Sequence, residues 1–341
     1  MPTLDDVAQL AGVSRMTASN ALRGKPYVKA STKQKVLNAA KTLNYQPNLA
    51  ARFLSSGKTN VIGFSTVELD NSPFSGCLAA SISDQAFALG YQTLIQQTRF
   101  SERYEHSMMS EISTQFCAGT ILSAPNLPKD ELIQLSAHYP LVVFDGPELD
   151  GKVDRVCSPC EEGAKAAVEH LIDRGAHRVA LLGFDYLTDD RLAKAETNKE
   201  LRCKGAARAL ASHDMPFGPQ FCIPCEWNYQ DAAVAFEKAL MQNHDFDALF
   251  CACDVVAVSA LHVLRKHGLH VPHDVKVIGF DGLAASRYTN PTLSTGSVDI
   301  DAIARECLRL LMRRIDNPAE PYEPEQVTLP FHITEAESTA A

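Results

Sequence analysis

The sequence predicts an α/β protein: a small all-α headpiece followed by a two-lobed, doubly wound parallel-sheet domain. Three observations predict it. Residues 3–22 read as two short helices joined at a glycine. From residue 60 onward, short apolar runs alternate with helix-length segments. The charge also changes sign between these regions. Residues 1–59 carry nine Lys or Arg against two Asp, a net of +7, which leaves −16 on the rest of a chain whose net charge is −9.

In the headpiece, Thr3 can cap the first helix, and Asp6 three residues on completes a capping-box pair. Leu4, Val7, Ala8 and Ala11 recur at helical spacing and form its buried stripe. Gly12 ends that helix, and Ser14 caps the next, with Val13 and Ala18 placed as a hydrophobic staple. Ala18, Ala21 and Leu22 then face inward, which leaves Arg15, Met16, Ser19 and Asn20 facing outward. A third helix runs from Ser31 to Leu43 with Val36, Leu37, Ala40 and Leu43 as its apolar face. This is a helix-turn-helix layout, whose second helix presents its N-terminal end to the major groove of DNA. Arg can bond guanine twice and Asn can bond adenine twice, whereas Met16 can offer only apolar contact, as to a thymine methyl. A helical bundle with no nucleic-acid role is the alternative. The +7 charge favours the DNA reading, because phosphate contacts need clustered cations.

Beyond the linker-like run Ser55–Asn60, strands are predicted at Val61–Thr66, Gln92–Gln96, Gly119–Ala124, Leu141–Asp145, Arg178–Phe184, Ala248–Cys253 and Val275–Asp281. Helices are predicted at Gly76–Leu89, Glu161–Arg174, Leu201–Ser212, Ala232–Gln242 and Val255–His267, with Gly90, Gly175 and Gly268 as stops. Alternation of this kind gives parallel sheets, and seven strands with charged breaks suggest two sheets rather than one. Ligands in such folds sit beyond the C-terminal ends of strands, and two lobes place a cleft there.

Composition removes several function classes. No stretch approaches the ~20 apolar residues of a membrane helix, so no membrane partner is expected. Met1-Pro-Thr-Leu-Asp-Asp does not read as a secretory signal, so the protein is expected in the cytoplasm, with its ten cysteines mostly reduced. Nucleotide-binding glycine motifs and a nucleophile elbow are missing, and His170, His177 and His262 stand apart without metal spacing. No enzyme activity, cofactor or metal is therefore predicted. The pairs Cys157/Cys160 and Cys222/Cys225, with Cys251 and Cys253, leave two readings open: small apolar packing, or a thiolate metal or redox sensor.

The segments Leu4-Asp-Asp-Val-Ala, Ala11-Gly-Val-Ser14, Tyr45-Gln-Pro47-Asn48, Ala51-Arg-Phe-Leu54, Val277-Ile-Gly-Phe-Asp281 and Asn290-Pro-Thr-Leu-Ser-Thr295 resemble the LacI/GalR family of bacterial transcriptional regulators. Arg202-Cys-Lys-Gly205 and Asp254-Val-Val-Ala257 are weaker matches. The resemblance implies a homodimer on double-stranded operator DNA. Residues 1–47 would form the helix-turn-helix, 48–59 a hinge helix and linker, and 60–341 an effector-binding and dimerisation domain. That domain would resemble a periplasmic sugar-binding protein, with crossovers near 157, 287 and 320. Arg15, Met16 and Asn20 would read bases, while Ser14, Thr17, Tyr45 and Asn48 would touch the DNA backbone or support the helices. Thr3, Ser19 and Ala51 complete the DNA set, and Leu54 would wedge into the minor groove.

For the effector, the resemblance implies Phe74, Ser75, Asp145, Arg202, Trp227, Asp254 and Asp281. These types suit a sugar or sugar derivative: carboxylates and Arg bond hydroxyls, and an aromatic ring covers an apolar sugar face. Trp227 could instead be a packing anchor, Asp281 a turn cap and Arg202 a surface cation. The sequence also departs from the family pattern at Pro159-Cys160, Ala206, Cys253 and Gly282. The C-terminal tail lacks a Leu heptad, which argues against a coiled-coil tetramer.

Overall fold

The computed structural model describes residues 2–45, 59–242, 245–317 and 323–340. Contacts divide the chain into two compact units, meeting between Thr59 and Asn60.

In the first unit, helix α1 (Leu4–Ala11) starts at a complete capping box. The Thr3 backbone N–H donates to Asp6 at 2.7 Å, and the Asp6 N–H donates back to the Thr3 hydroxyl at 3.3 Å. Gly12, at φ 67°, ends the helix, and the Val13 N–H then donates to the Ala8 carbonyl. Helix α2 (Arg15–Leu22) is capped by Ser14, whose hydroxyl accepts the Thr17 N–H at 3.2 Å. Helix α3 (Ala30–Thr42) closes the bundle. Val7, Ala8, Ala18, Ala21, Val36, Ala39 and Ala40 form its core, with Leu4, Ala11 and Val13 packed against it. One predicted face is corrected. Leu37 is 40% exposed, and Ala39 takes the inward position. The inward line of α3 is thus Val36, Ala39, Ala40 and Leu43, one step round the helix from the predicted one.

The second unit contains two six-stranded sheets. The first is built from β1 (Val61–Thr66), β2 (Gln92–Gln97), β3 (Thr120–Ser123), β4 (Leu141–Phe144), β5 (Asp154–Cys157) and β11 (Gln326–Thr328), in the order β11-β5-β4-β3-β1-β2. The second holds β6 (Val179–Leu182), β7 (Cys222–Ile223), β8 (Ala248–Cys251), β9 (Lys276–Asp281), β10 (Ser294–Ser297) and β12 (His332–Thr334), in the order β12-β10-β9-β8-β6-β7. All pairings are parallel except that of β12 with β10, an antiparallel edge. The predicted two-lobed, doubly wound parallel-sheet domain is thus found, with one antiparallel edge strand.

Helices α4 (Pro73–Ala88), α5 (Glu102–Met108), α6 (Lys129–His138) and α11 (Ile300–Asp316) belong to the first lobe. Helices α7 (Cys160–Asp173), α8 (Asn198–Ser212), α9 (Tyr229–Gln242) and α10 (Asp254–Lys266) belong to the second. β4 and β8 are buried along their whole length, as strands covered on both faces must be. Gly90, Gly175 and Gly268 follow α4, α7 and α10 at positive φ, as expected of helix stops. Helices α7 and α8 approach so closely that a Cβ on Gly205 would stand 2.0 Å from the Glu161 backbone oxygen.

The chain passes between lobes three times: after β5 at Cys157, after β10 at Ser297 and after β11 at Thr328. The first lies where the sequence placed it. The other two come later than 287 and 320, because β10 and β11 each complete a sheet before the chain leaves. Among the described residues no helix is long and apolar enough to cross a membrane.

Candidate functional site

The outward end of α2 is built by its own caps. The Ser14 and Thr17 hydroxyls lie 2.9 Å apart and are hydrogen-bonded, so both are engaged in holding the helix start. Thr3 is likewise engaged in its capping box. Arg15 and Met16 are exposed, Met16 to 75%, while Ser19 and Asn20 are half-buried on the same helix. The Arg15 guanidinium rests 3.5 Å from Asp5, a pair exposed enough to open at little cost. Tyr45 packs against the three-helix core. Asn48, Ala51 and Leu54 lie outside the described residues.

A cavity of about 690 Å³ lies between the two lobes of the larger unit. Phe74, Ser75, Asp145, Arg202, Trp227 and Asp281 all line it, and Asp254 does not. Phe74 and Ser75 come from the first turn of α4, where Ser72 caps the helix by accepting the Ser75 N–H. Asp145 follows β4 and Asp281 ends β9, both at the C-terminal ends of strands. Each occupies the same place in its own sheet, third from the edge.

Asp145 is buried and held by neutral donors. It accepts the Ser158 N–H at 2.7 Å, the Ser158 hydroxyl at 3.0 Å and the Asn198 side-chain amide at 2.9 Å. Burial raises its pKa above the ordinary carboxylate value despite these bonds. Asn198 is the first residue of α8 in the second lobe, so this bond spans the cleft.

Arg202 is 6% exposed, which overturns the surface-cation alternative. Its guanidinium lies 3.8 Å above the Phe280 ring and 5.2 Å from the Trp227 ring. One of its amino groups donates to the Ala252 carbonyl, and the other stands 3.5 Å from Asp281. Trp227 is a packing anchor that also faces the cavity. Its N–H donates to the Gly183 carbonyl at 2.9 Å and its ring meets Phe184 edge-on, while it also walls the cavity.

Asp254 is corrected to a supporting position behind the cleft. It accepts the Leu283 N–H at 2.8 Å and bonds the Thr295 hydroxyl at 2.6 Å, tying α10 to the turn after β9. A Cβ on Gly279 would meet this carboxylate at 2.2 Å, so the strand must be bare there. Burial pushes both Asp254 and Asp281 upward, and Asp254 further, because Arg202 stands beside Asp281.

The cysteines read as packing. Cys225 and Cys253 line the cavity, and Cys160 is buried. Burial pushes the thiols of Cys157 and Cys225 up to about 11 and those of Cys160 and Cys222 up to about 12, so they are neutral near pH 7. Among the described residues no group of three or more His, Cys, Asp or Glu side chains could hold a metal ion.

Sequence reasoning missed Ser158 and Asn198, whose polar character alone carries no signal. It also missed Phe144 and Phe280, although a signal was present. Phe144-Asp145-Gly146 and Phe280-Asp281-Gly282 are the same tripeptide, and both Asp residues sit at positive φ before a glycine.

Comparison with known proteins finds matches in both units. Residues 3–48 match the bacterial regulatory proteins of the lacI family, and residues 168–339 match a periplasmic binding protein-like domain. A transcriptional regulator of LacI family from Sanguibacter keddieii is 31% identical, with a TM-score of 0.74, over 84% of this chain and all of its own. The chain belongs to the LacI family of transcriptional regulators. The catabolite control protein A of Priestia megaterium is 28% identical over 338 residues, covering 99% of each chain. A CelR–cellobiose complex is 26% identical over 99% of this chain and all of its own, with a TM-score of 0.69. Within the LacI family, then, this chain has a DNA-binding helix-turn-helix domain and a two-lobed periplasmic binding protein-like domain.

Proposed function

We propose that the protein is a sequence-specific repressor, acting in the cytoplasm as a homodimer, whose operator affinity is set by a small carbohydrate-like effector. The observation that carries this reading is the cavity walled from both lobes by Asp145, Arg202, Trp227 and Asp281, in a chain that also carries a helix-turn-helix. Carboxylates bond ring hydroxyls, and aromatic walls cover the apolar face of a sugar. The cellobiose held by the similar CelR structure is consistent with such a ligand. Arg15, Met16 and Asn20 choose the site, and Asn48, Ala51 and Leu54 form the hinge that engages the minor groove. Exposed Phe87, Leu89 and Ile95, beside and on edge strand β2, supply an apolar face for a second copy.

The mechanism is linkage. A ligand that touches both lobes favours one spacing between them, and the dimer passes that preference to the headpieces. A coupling of roughly 1–3 kcal/mol changes operator affinity about 5–150-fold. The test is a panel of mono- and disaccharides on the full chain, read by thermal stabilisation and by binding to an operator selected from random DNA. A stabilising sugar is expected to shift operator affinity within that range. A sugar that stabilises the chain in the cleft and leaves operator affinity unchanged would overturn the reading.

A further inference from the structure

Phe100 is an exposed aromatic held in a strained backbone conformation at the mouth of the cleft. It lines the cavity and is 65% exposed. Arg99 and Phe100 lie at φ 54° and 55°, and the Ser101 N–H closes the turn onto the Thr98 carbonyl at 2.9 Å. Two successive left-handed residues are ordinarily supplied by Asn-Gly, and a bulky ring in that place is strained. Nothing local offsets the strain: among the described residues Phe100 stacks on no other ring. The turn is nevertheless fixed at both ends. The Thr98 and Arg99 N–H groups bond the Thr66 and Val67 carbonyls, both at 2.9 Å, and the Gln97 side chain accepts the Leu69 N–H at 2.7 Å. The Arg99 guanidinium reaches both oxygens of Asp70, at 3.1 and 3.2 Å. Ser101 then caps α5 by accepting the Tyr104 N–H at 3.3 Å. The segments after β1 and β2 are thus laced into one clamp that presents the Phe100 ring. Strain that the surrounding structure over-determines in this way collects at ligand sites.

The cavity has two levels. Asp145, Arg202 and Asp281 are buried at its floor, where the Arg202 Nε is a donor without a partner, open to a ligand oxygen. Phe100, Asn71, Asn126, Glu196 and Glu226 are exposed and form its rim. The volume of about 690 Å³ lies within the roughly 300–1,000 Å³ that holds a drug-sized ligand. A single sugar ring on the floor would fill only part of it. We propose that Phe100 is the stacking platform of a second sugar subsite at the mouth of the cleft, and that the effector is an oligosaccharide of at least two rings whose outer ring lies on Phe100. The proposal rests on the cleft being a carbohydrate site. The apolar face of the outer ring covers the phenyl ring, and its hydroxyls meet the amides and carboxylates of the rim.

Trp227 is the only tryptophan of the chain and walls the cavity, so its fluorescence reports binding. The experiment titrates the full-length protein with glucose, xylose, galactose and mannose, and with the di- and trisaccharides of each. At least one longer sugar is expected to bind about tenfold or more tighter than its own monosaccharide. Phe100→Asn removes the ring and suits the left-handed φ. It is expected to abolish the length advantage, to leave monosaccharide affinity unchanged and to melt no lower than the wild type. Phe100→Tyr, which keeps a ring, is expected to retain the advantage. A monosaccharide that binds as tightly as every longer sugar overturns the proposal. So does a length advantage that survives Phe100→Asn, or an equal loss for short and long sugars, which would make Phe100 a support of the floor. The underlying reading fails differently. If no sugar of any length changes Trp227 fluorescence, the carbohydrate site falls and the subsite with it. If sugars bind without regard to length, only the subsite falls.

Discussion

Asn20 and Glu105 show what a single side chain decides in this protein. Asn20 is half-buried in the second half of α2 and hydrogen-bonded to no other side chain in the described headpiece. Asn20→Ala is expected to cost roughly 1–3 kcal/mol on the selected operator and to leave binding to random DNA nearly unchanged. Fluorescence anisotropy on both DNAs checks this, and equal losses on the two would assign Asn20 to phosphate or to folding.

Glu105 is a residue that the sequence did not single out. It is 1% exposed on α5, accepts the Asn126 N–H at 2.8 Å, and leaves its other oxygen buried without a hydrogen-bond partner among the described residues. Burial raises its carboxyl from the ordinary 4.5 to about 7, with Glu131 and Glu102 adding repulsion. The folded state therefore prefers the neutral acid. The stability this contributes is complete below pH 4.5 and is lost as pH rises through about 7. Glu105→Gln keeps an acceptor for Asn126 and removes the titration. The variant is expected to match the wild type near pH 4.5 and to exceed it at pH 8 by on the order of 2 kcal/mol. Melting curves at the two values decide it, since parallel pH profiles would show that Glu105 does not titrate in this range. Asn20 could be placed from sequence because helical periodicity fixes which way a side chain faces. Glu105 could not, because its burial depends on a neighbouring loop distant in sequence.

Elements were legible to the extent that their burial followed from composition. β4 and β8 are apolar throughout, β1 is apolar up to Phe64, and all three were predicted. β10 reads Ser-Thr-Gly-Ser, yet it is wholly buried, because its hydroxyls find partners: Ser294 bonds Thr339, Thr295 bonds Asp254 and Ser297 bonds Thr334. A buried polar strand of this kind is stable once every hydroxyl is bonded, and nothing in its composition announces it. β11 and β12 failed for the opposite reason. They are three-residue edge strands with no buried residue, and carry no apolar run. β5 contains Asp154 and Arg155, both buried, the latter paired with Glu148 at 2.6 Å. Helix α11 did carry a readable pattern, with Ile303, Ala304, Cys307, Leu308 and Leu311 inward. What no local pattern reveals is that it returns to pack on the first lobe after the chain has built the second. The twin Phe-Asp-Gly strand ends belong to this scale as well. Each lobe presents a carboxylate from the equivalent strand, so the site is assembled by symmetry of fold between two segments far apart in sequence.

At the scale of the whole molecule, charge separates the two tasks. The headpiece region holds +7 and the remainder −16, and contacts divide the chain at the same place, between Thr59 and Asn60. An acidic ligand domain repels DNA, so every favourable phosphate contact must come from residues 1–59. Each phosphate neutralised releases counterions, which makes affinity fall linearly in log salt with a slope near −0.9 per contact. Two headpieces in a dimer double the number of contacts and steepen that slope. Removing residues 1–59 is therefore expected to abolish DNA binding at any salt concentration, while the remaining unit keeps its melting transition and its stabilisation by whichever sugar stabilises the full chain. The full protein is expected to lose about 10³–10⁵ in affinity between 50 and 200 mM salt if six to ten phosphates are contacted. Residual binding by the truncated protein with a steep salt slope would place cations of the acidic domain on the DNA. It would mean that the division of charge along the chain is not the division of labour.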